Sequence, residues 1–267
     1  MRGRLSSTVG VCVVETEKLL NFSCEMGRQL LQNGAEIYRV EESLQRILAA
    51  YGYDQVEVFA IPAYVILSIQ EGERTYTKAV RTKTVSNNLR RLSHLNALCR
   101  DICREAPAYE EIDRHLREVI HEPEYPTSVS YLAHGVVAFF FTLFWGGGLV
   151  DALTAFFCGL LVKMTLSFMR RVRANVFCTN LTASMLLALV PLLLTYGGVA
   201  INVDKTIIGT IMLLVPGIAI TNVMRDVLAG DFLTAVTRLT EVLIVGMGIT
   251  IGVAMAITTT RSLAGWL

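Results

Sequence analysis

Residues 126–148 read Pro-Thr-Ser-Val-Ser-Tyr-Leu-Ala-His-Gly-Val-Val-Ala-Phe-Phe-Phe-Thr-Leu-Phe-Trp-Gly-Gly-Gly, a stretch with no Asp, Glu, Lys or Arg. A helix needs about 20 such residues to cross the hydrocarbon core of a bilayer. The stretch therefore predicts a membrane span at about 129–148, closed by a glycine-rich reversal. Downstream, four more apolar runs of similar length follow at about 150–169, 176–196, 206–223 and 235–258. Upstream the character changes. Most of the charged residues precede Tyr125, and Pro123 and Pro126 mark the boundary. The expected fold is an α+β soluble N-terminal domain over 1–125, followed by an all-α polytopic membrane domain of five helices over 126–267.

The totals agree with that division. Of 267 residues, 53% are hydrophobic and 18% are charged, whereas a soluble domain carries about 25% charge. The formal net charge of +1 lacks the clustered basic face of a nucleic-acid partner, so that class is set aside. The six cysteines include no Cys-x-x-Cys pair, which argues against a disulfide framework and a zinc site. The apolar run Val9–Val14 is too short and too poorly flanked for a signal peptide.

In the N-terminal half, apolar residues recur at helical spacing from Thr16 to Ala50, with a dip at Asn33-Gly34. This predicts two helices, or one kinked at Gly34. Gln55–Ile61, Tyr64–Gln70 and Arg74–Val80 are rich in Val, Ile, Phe and Tyr and enclose the turn Glu71-Gly72-Glu73, which predicts a small antiparallel sheet. Amphipathic helices are expected over Ser86–Arg104 and Tyr109–His121. Arg170, Arg171 and Arg173 lie between the second and third spans, and Arg225 between the fourth and fifth. With five spans, the positive-inside rule puts these loops and the N-terminal domain on the cytosolic side of the cytoplasmic membrane.

The fourth run is interrupted by Pro216-Gly217. Proline removes a backbone donor and clashes with the preceding turn, so carbonyls near Leu213 should lose their partners. Freed backbone at membrane depth is tolerated where it is buried in protein or lines a wet cavity, and broken helices build polar binding sites in this way. A packing kink would look the same. Asn222 and Asp226 follow one turn apart with Arg225 beside them, and Arg238 and Glu241 open the fifth span. These residues are candidates for substrate or gate contacts, with Glu241 and Arg238 for proton coupling. The alternative is an ion-pair latch among Arg225, Asp226, Arg238 and Glu241. Asp151, after Gly146-Gly147-Gly148, either caps the second span through the helix dipole or contacts a substrate at an outer gate. Gly248 and Gly252 form a GxxxG surface that could mark a subunit contact.

In the N-terminal half, Gly34, Glu36, Arg39 and Glu41 mark a helix start that binds a ligand, binds a membrane-domain loop, or is simply a solvated face. No Gly-x-Ser-x-Gly elbow, phosphate-binding glycine loop or histidine ligand pair is present. No catalytic residue, metal site or cofactor is therefore predicted, and no enzyme activity.

Four stretches carry a resemblance: Gly34-Ala35-Glu36-x-x-Arg39-Val40-Glu41; Val56-Glu57-Val58-Phe59-Ala60-Ile61-Pro62; Gly146-Gly147-x-x-x-Asp151-Ala152; and Val215-Pro216-Gly217 with Asn222, Arg225, Asp226, Gly230 and Asp231. As a set, in this order, they resemble the threonine/serine exporter family, ThrE, and its two-component branch in particular. The resemblance implies a secondary exporter driven by the proton gradient. Its implied substrates are L-threonine and L-serine, or dicarboxylates such as succinate, and its implied partner is a small YjjB-like membrane subunit, a second copy of the chain, or both. The reading of a different class is a regulatory or ligand-sensing subunit whose partner forms the pathway.

Overall fold

A computed structural model describes residues 16–82, 88–123 and 125–264. The run Val9–Val14, Cys12 and the expected helix start at Ser86 lie outside the described residues. The described chain is mostly helical, with one three-stranded sheet. It divides into two compact units, one of residues 1–123 with 225–235, the other of residues 124–224 with 236–267.

The first unit begins with α1 (Thr16–Gln32) and α2 (Ile37–Ala50), so the dip at Asn33-Gly34 separates two helices. Gly34 takes φ +93°, a left-handed conformation that glycine adopts at no steric cost. Its N–H donates to the Leu31 carbonyl and that of Ala35 to the Leu30 carbonyl, the paired bonds of a Schellman ending. The strands β1 (Val56–Ile61), β2 (Tyr64–Glu71) and β3 (Arg74–Arg81) form an antiparallel meander in the order β1-β2-β3. Val65, Leu67 and Ile69 alternate along β2 and are fully buried, as the period of two requires. They pack with Leu19, Met26 and Leu30 of α1 and Leu44 and Ile47 of α2. The core is completed by Leu95 and Ile102 of α3 (Leu89–Glu105) and by Ile112 and Leu116 of α4 (Tyr109–Ile120). A Cβ on Gly27 would come within 2.8 Å of a Leu44 methyl group, so α1 and α2 approach closely there.

The second unit contains α5 (Thr127–Phe144), α6 (Leu149–Arg171) and α7 (Val176–Tyr196), followed by two shorter helices, α8 (Val203–Ile211) and α9 (Gly217–Leu228). The last four residues of α9 belong to the first unit. So does the beginning of the final helix, α10 (Phe232–Ala264). Among the described residues, four helices (α5, α6, α7 and α10) are long and apolar enough to cross a membrane. The fourth expected span, 206–223, is not one helix. α8 stops at Ile211 and α9 starts at Gly217, and the Gly217 N–H turns to the Val215 carbonyl at 2.9 Å instead of the Leu213 carbonyl. Pro216 accounts for the break, because its ring and missing N–H cannot continue α8.

Small residues bring these helices together. A Cβ on Gly159 of α6 would meet the His134 carbonyl oxygen of α5 at 2.5 Å, and one on Gly209 of α8 would meet Thr142 Cα at 2.7 Å. The GxxxG of α10 has a partner within the same chain. A Cβ on Gly252 would lie 2.3 Å from the Leu181 carbonyl oxygen, and one on Gly248 3.0 Å from that of Phe177, both on α7. Close backbone approach over small residues is how helices associate where lipid offers no hydrophobic driving force between them. On the outside, Phe140, Phe144, Phe157 and Phe168 are exposed.

Candidate functional site

Two of the motif stretches, nearly 200 residues apart, meet in the first unit. Each arrives through the same local device. α1 ends on the left-handed Gly34 and α9 on the left-handed Gly230 (φ +83°). At the second ending the Gly230 N–H donates to the Val227 carbonyl and the Asp231 N–H to the Asp226 carbonyl, again a Schellman pair. Within two residues each glycine is followed by an acidic residue at the start of the next helix, Glu36 before α2 and Asp231 before α10. The two differ in what they do there. Asp231 Oδ1 accepts the Thr234 N–H at 3.3 Å, capping α10. The Glu36 side chain makes no cap bond. Instead it forms ion pairs with Arg225 Nη1 and, at 3.0 Å, with Arg39 Nε.

The Glu36 side chain is 13% exposed and that of Arg225 46%, so the carboxylate is held inside while the guanidinium reaches it from the rim. One turn along α2, Glu41 Oε1 accepts the Ala60 N–H at 2.8 Å. Ala60 lies on β1, an edge strand with a free row of backbone groups, and Glu41 covers one of them. Burial pushes the Glu41 carboxyl above its usual range. The Ala60 hydrogen bond opposes this, and the negative charge of Asp231 adds to it. Asp226 is almost completely buried. Glu36 thus holds both Arg39 and Arg225, while Glu41 is tied to Ala60 and feels the charge of Asp231. Arg225, a member of the expected latch with Asp226, Arg238 and Glu241, pairs with Glu36.

The remaining predicted residues belong to the second unit. Pro216 and Gly217 form the break described above, and Gly217 is exposed with open space around a hypothetical Cβ. Asn222 is half-buried on α9. On α10, Arg238 is half-buried and Glu241 exposed, three residues further along. Asp151 is buried, and both of its carboxylate oxygens are engaged. Oδ2 accepts the Gly148 N–H at 2.8 Å and Oδ1 the Asn202 N–H at 2.7 Å. Lys205 Nζ donates to the Gly146 carbonyl at 2.5 Å. Asp151 therefore caps α6 and ties it to the residue preceding α8, which is the capping reading of this residue.

Sequence reasoning did not select Asp231 and Ala60 as site residues. The Gly230-Asp231 pair before an apolar run is a helix-stop, helix-start signal, but nothing local indicates that its charge acts on Glu41. Among the described residues no group of three His, Cys, Asp or Glu side chains is arranged to hold a metal ion.

Four apolar helices with outward-facing aromatic and aliphatic side chains define a multi-pass membrane protein. The chain belongs to the ThrE family, described as "Putative threonine/serine exporter", which it matches over residues 21–260. It is 24% identical over 249 residues to the "Threonine/serine exporter" of Corynebacterium glutamicum, covering 90% of this chain and 50% of that protein, so the chain spans half the length of that relative. It is also 25% identical over 241 residues to the "Probable succinate transporter subunit YjjP" of Klebsiella aerogenes, covering 89% of this chain and 92% of that protein. No solved structure matches the chain.

Proposed function

We propose that this chain is a subunit of a secondary exporter of small hydrophilic metabolites, L-threonine and L-serine or dicarboxylates such as succinate, in the cytoplasmic membrane. The observation that carries this reading is the break at Pro216-Gly217. It divides an apolar segment of spanning length into α8 and α9, the arrangement that offers polar backbone to a solute in membrane transporters. In this reading α8 and α9 together serve as the fourth of five spans, and the first unit, 1–123 with the 225–235 segment, is cytosolic.

Eight residues beyond Gly217, Arg225 is held by Glu36. A substrate carboxylate is chemically equivalent to the Glu36 side chain and exchanges with it on the guanidinium, so the pair acts as a gate that an anionic or zwitterionic substrate opens. Asp226 and Asn222 lie on the same helix and complete the substrate contacts. Glu241, with Arg238 one turn earlier, is the proposed proton carrier, since a carboxylate in an apolar helix is costly unless it is paired, wet or functional. The names of the two relatives support the substrate classes, and the word "subunit" in one of them supports a partner, for which a small YjjB-like membrane protein or a second copy of this chain fits.

Efflux of labelled threonine, serine and succinate from cells expressing Arg225→Ala and Asp226→Ala tests the site. Loss of efflux with undiminished protein in the membrane is expected. Normal efflux from both variants overturns the assignment.

A further inference from the structure

The first unit carries a second charged feature that the exporter reading uses only at its edge. α2 and α3 face each other across a cleft of about 580 Å³, to which α2 contributes Arg39 and Arg46 and α3 contributes Arg100 and Arg104. One carboxylate, Glu42, lines the cleft, and it is paired with Arg46 at 2.5 Å. Glu42 answers Arg46 and Glu36 answers Arg39, which leaves the charges of Arg100 and Arg104 facing the cleft. The two helices share one buried core, to which α2 brings Leu44 and Leu48 and α3 brings Leu95 and Ile102. Arg100 and Arg104 stand at i, i+4 on one helix face, where like charges repel and destabilise. Placing two more arginines opposite them adds to that cost, and an anion between the helices removes it.

The chemistry of the lining selects among anions. A guanidinium presents a planar fork that matches phosphate oxygens bidentately, and Arg100 and Arg104, one turn apart on α3, offer two such forks to neighbouring phosphate groups. The volume lies within the range of small-molecule sites, roughly 300–1,000 Å³, and is far larger than inorganic phosphate needs. Tyr38, an exposed residue, lines the same cleft next to the Arg39 guanidinium, which lies 5.9 Å from its ring centroid. That offers a flat apolar surface beside the cations. We propose that the cleft between α2 and α3 binds a small, multiply charged phosphate ester of nucleotide size.

Arg39 links this cleft to the ion-pair site, since its Nε also pairs with Glu36. An anion that draws Arg39 into the cleft leaves Arg225 as the main partner of Glu36, so the bound ligand tightens the Glu36–Arg225 pair. This regulatory consequence rests on the exporter reading. The binding itself does not, and the test below reads binding alone.

The purified full-length chain in detergent is titrated with magnesium-free ATP, pyrophosphate, adenosine and succinate by calorimetry, and in parallel the alkylation rate of the exposed Cys103 is followed by peptide mass spectrometry, with Cys178 as the internal control. ATP and pyrophosphate are expected to bind and to slow alkylation at Cys103 but not at Cys178. The Arg100→Gln/Arg104→Gln double variant should lose roughly tenfold or more in affinity, the scale of two charge-assisted phosphate contacts. Arg114→Gln, on α4, should change nothing. If the double variant unfolds at lower temperature, Arg104→Lys, which keeps the charge and loses the fork, should still weaken ATP. The proposal is overturned if neither ATP nor pyrophosphate binds or protects Cys103, if the arginine variants bind them like the parent, or if succinate or adenosine protects as well as pyrophosphate does.

Discussion

Replacing Glu36 and Arg225 by glutamine, singly and together, measures whether the two distant motifs are energetically joined. Two unit charges about 4 Å apart attract by about 4 kcal/mol at the effective dielectric of a protein surface. Two features of the structure lower what an experiment should read. Arg225 is 46% exposed, so water screens much of the attraction. Arg39 stays 3.0 Å from Glu36 when Arg225 is removed, so the carboxylate is not left alone. A coupling energy of about 1 kcal/mol is therefore expected, at the upper end for pairs open to solvent. The assay is denaturant or thermal unfolding of the four detergent-purified proteins, at low and at high salt. Arg225→Gln should destabilise the parent, cost almost nothing in the Glu36→Gln background, and lose most of its effect at high salt. Strict additivity of the two single substitutions, within about 0.3 kcal/mol, would refute the inference that these residues form a functional pair.

Three other perturbations follow from the same geometry. Glu41→Gln keeps an oxygen to accept the Ala60 N–H and removes a carboxylate whose folded-state pKa is raised by burial and by Asp231. A raised carboxylate pKa means that the folded state holds its proton more tightly. Its stability is complete below the ordinary value of 4.5 and declines as pH rises through the folded-state value. The variant should thus be slightly more stable than the parent at neutral pH, by less than about 1 kcal/mol, and lose that advantage in acid unfolding scans. Gly252→Leu forces a side chain against backbone atoms of α7 that already lie 2.3–3.0 Å from a Cβ. It should cost about 3 kcal/mol or more and sharply reduce the folded protein recovered in detergent, whereas Gly217→Ala, which meets open space, should be recovered normally. Asp151→Ala removes the acceptor of two backbone N–H groups and should lower stability by about 2 kcal/mol, with Asp151→Asn losing about half as much because one oxygen remains.

What could be read from the sequence was whatever repeats locally. The spans over α5, α6, α7 and α10 show as long, predominantly apolar runs, the meander as alternation along Val65, Leu67 and Ile69 with a turn at Gly72, and the α1–α2 boundary as Asn33-Gly34. The run 206–223 has the length of a span, but Pro216 alone determines that it forms α8 and α9, and hydropathy does not register one missing N–H. The partner of Gly248 and Gly252 was not legible either, because a small-residue face fits a helix of the same chain as well as one from another subunit. The meeting of Glu36 with Arg225 joins residues 189 positions apart. Neither motif encodes the other's position, since long-range contacts depend on how the intervening helices pack, and the sequence offered only their membership in one family set.

The central claim is that this chain serves export, and efflux tests it most directly. Labelled threonine, serine and succinate are loaded into cells expressing the chain with and without a small YjjB-like partner, and their loss is followed with and without a protonophore. Efflux of at least one of the three that requires the chain, is enhanced by or depends on the partner, and collapses with the protonophore is the predicted result. No efflux of any of the three, with both proteins confirmed in the membrane, would contradict the claim and favour a regulatory subunit.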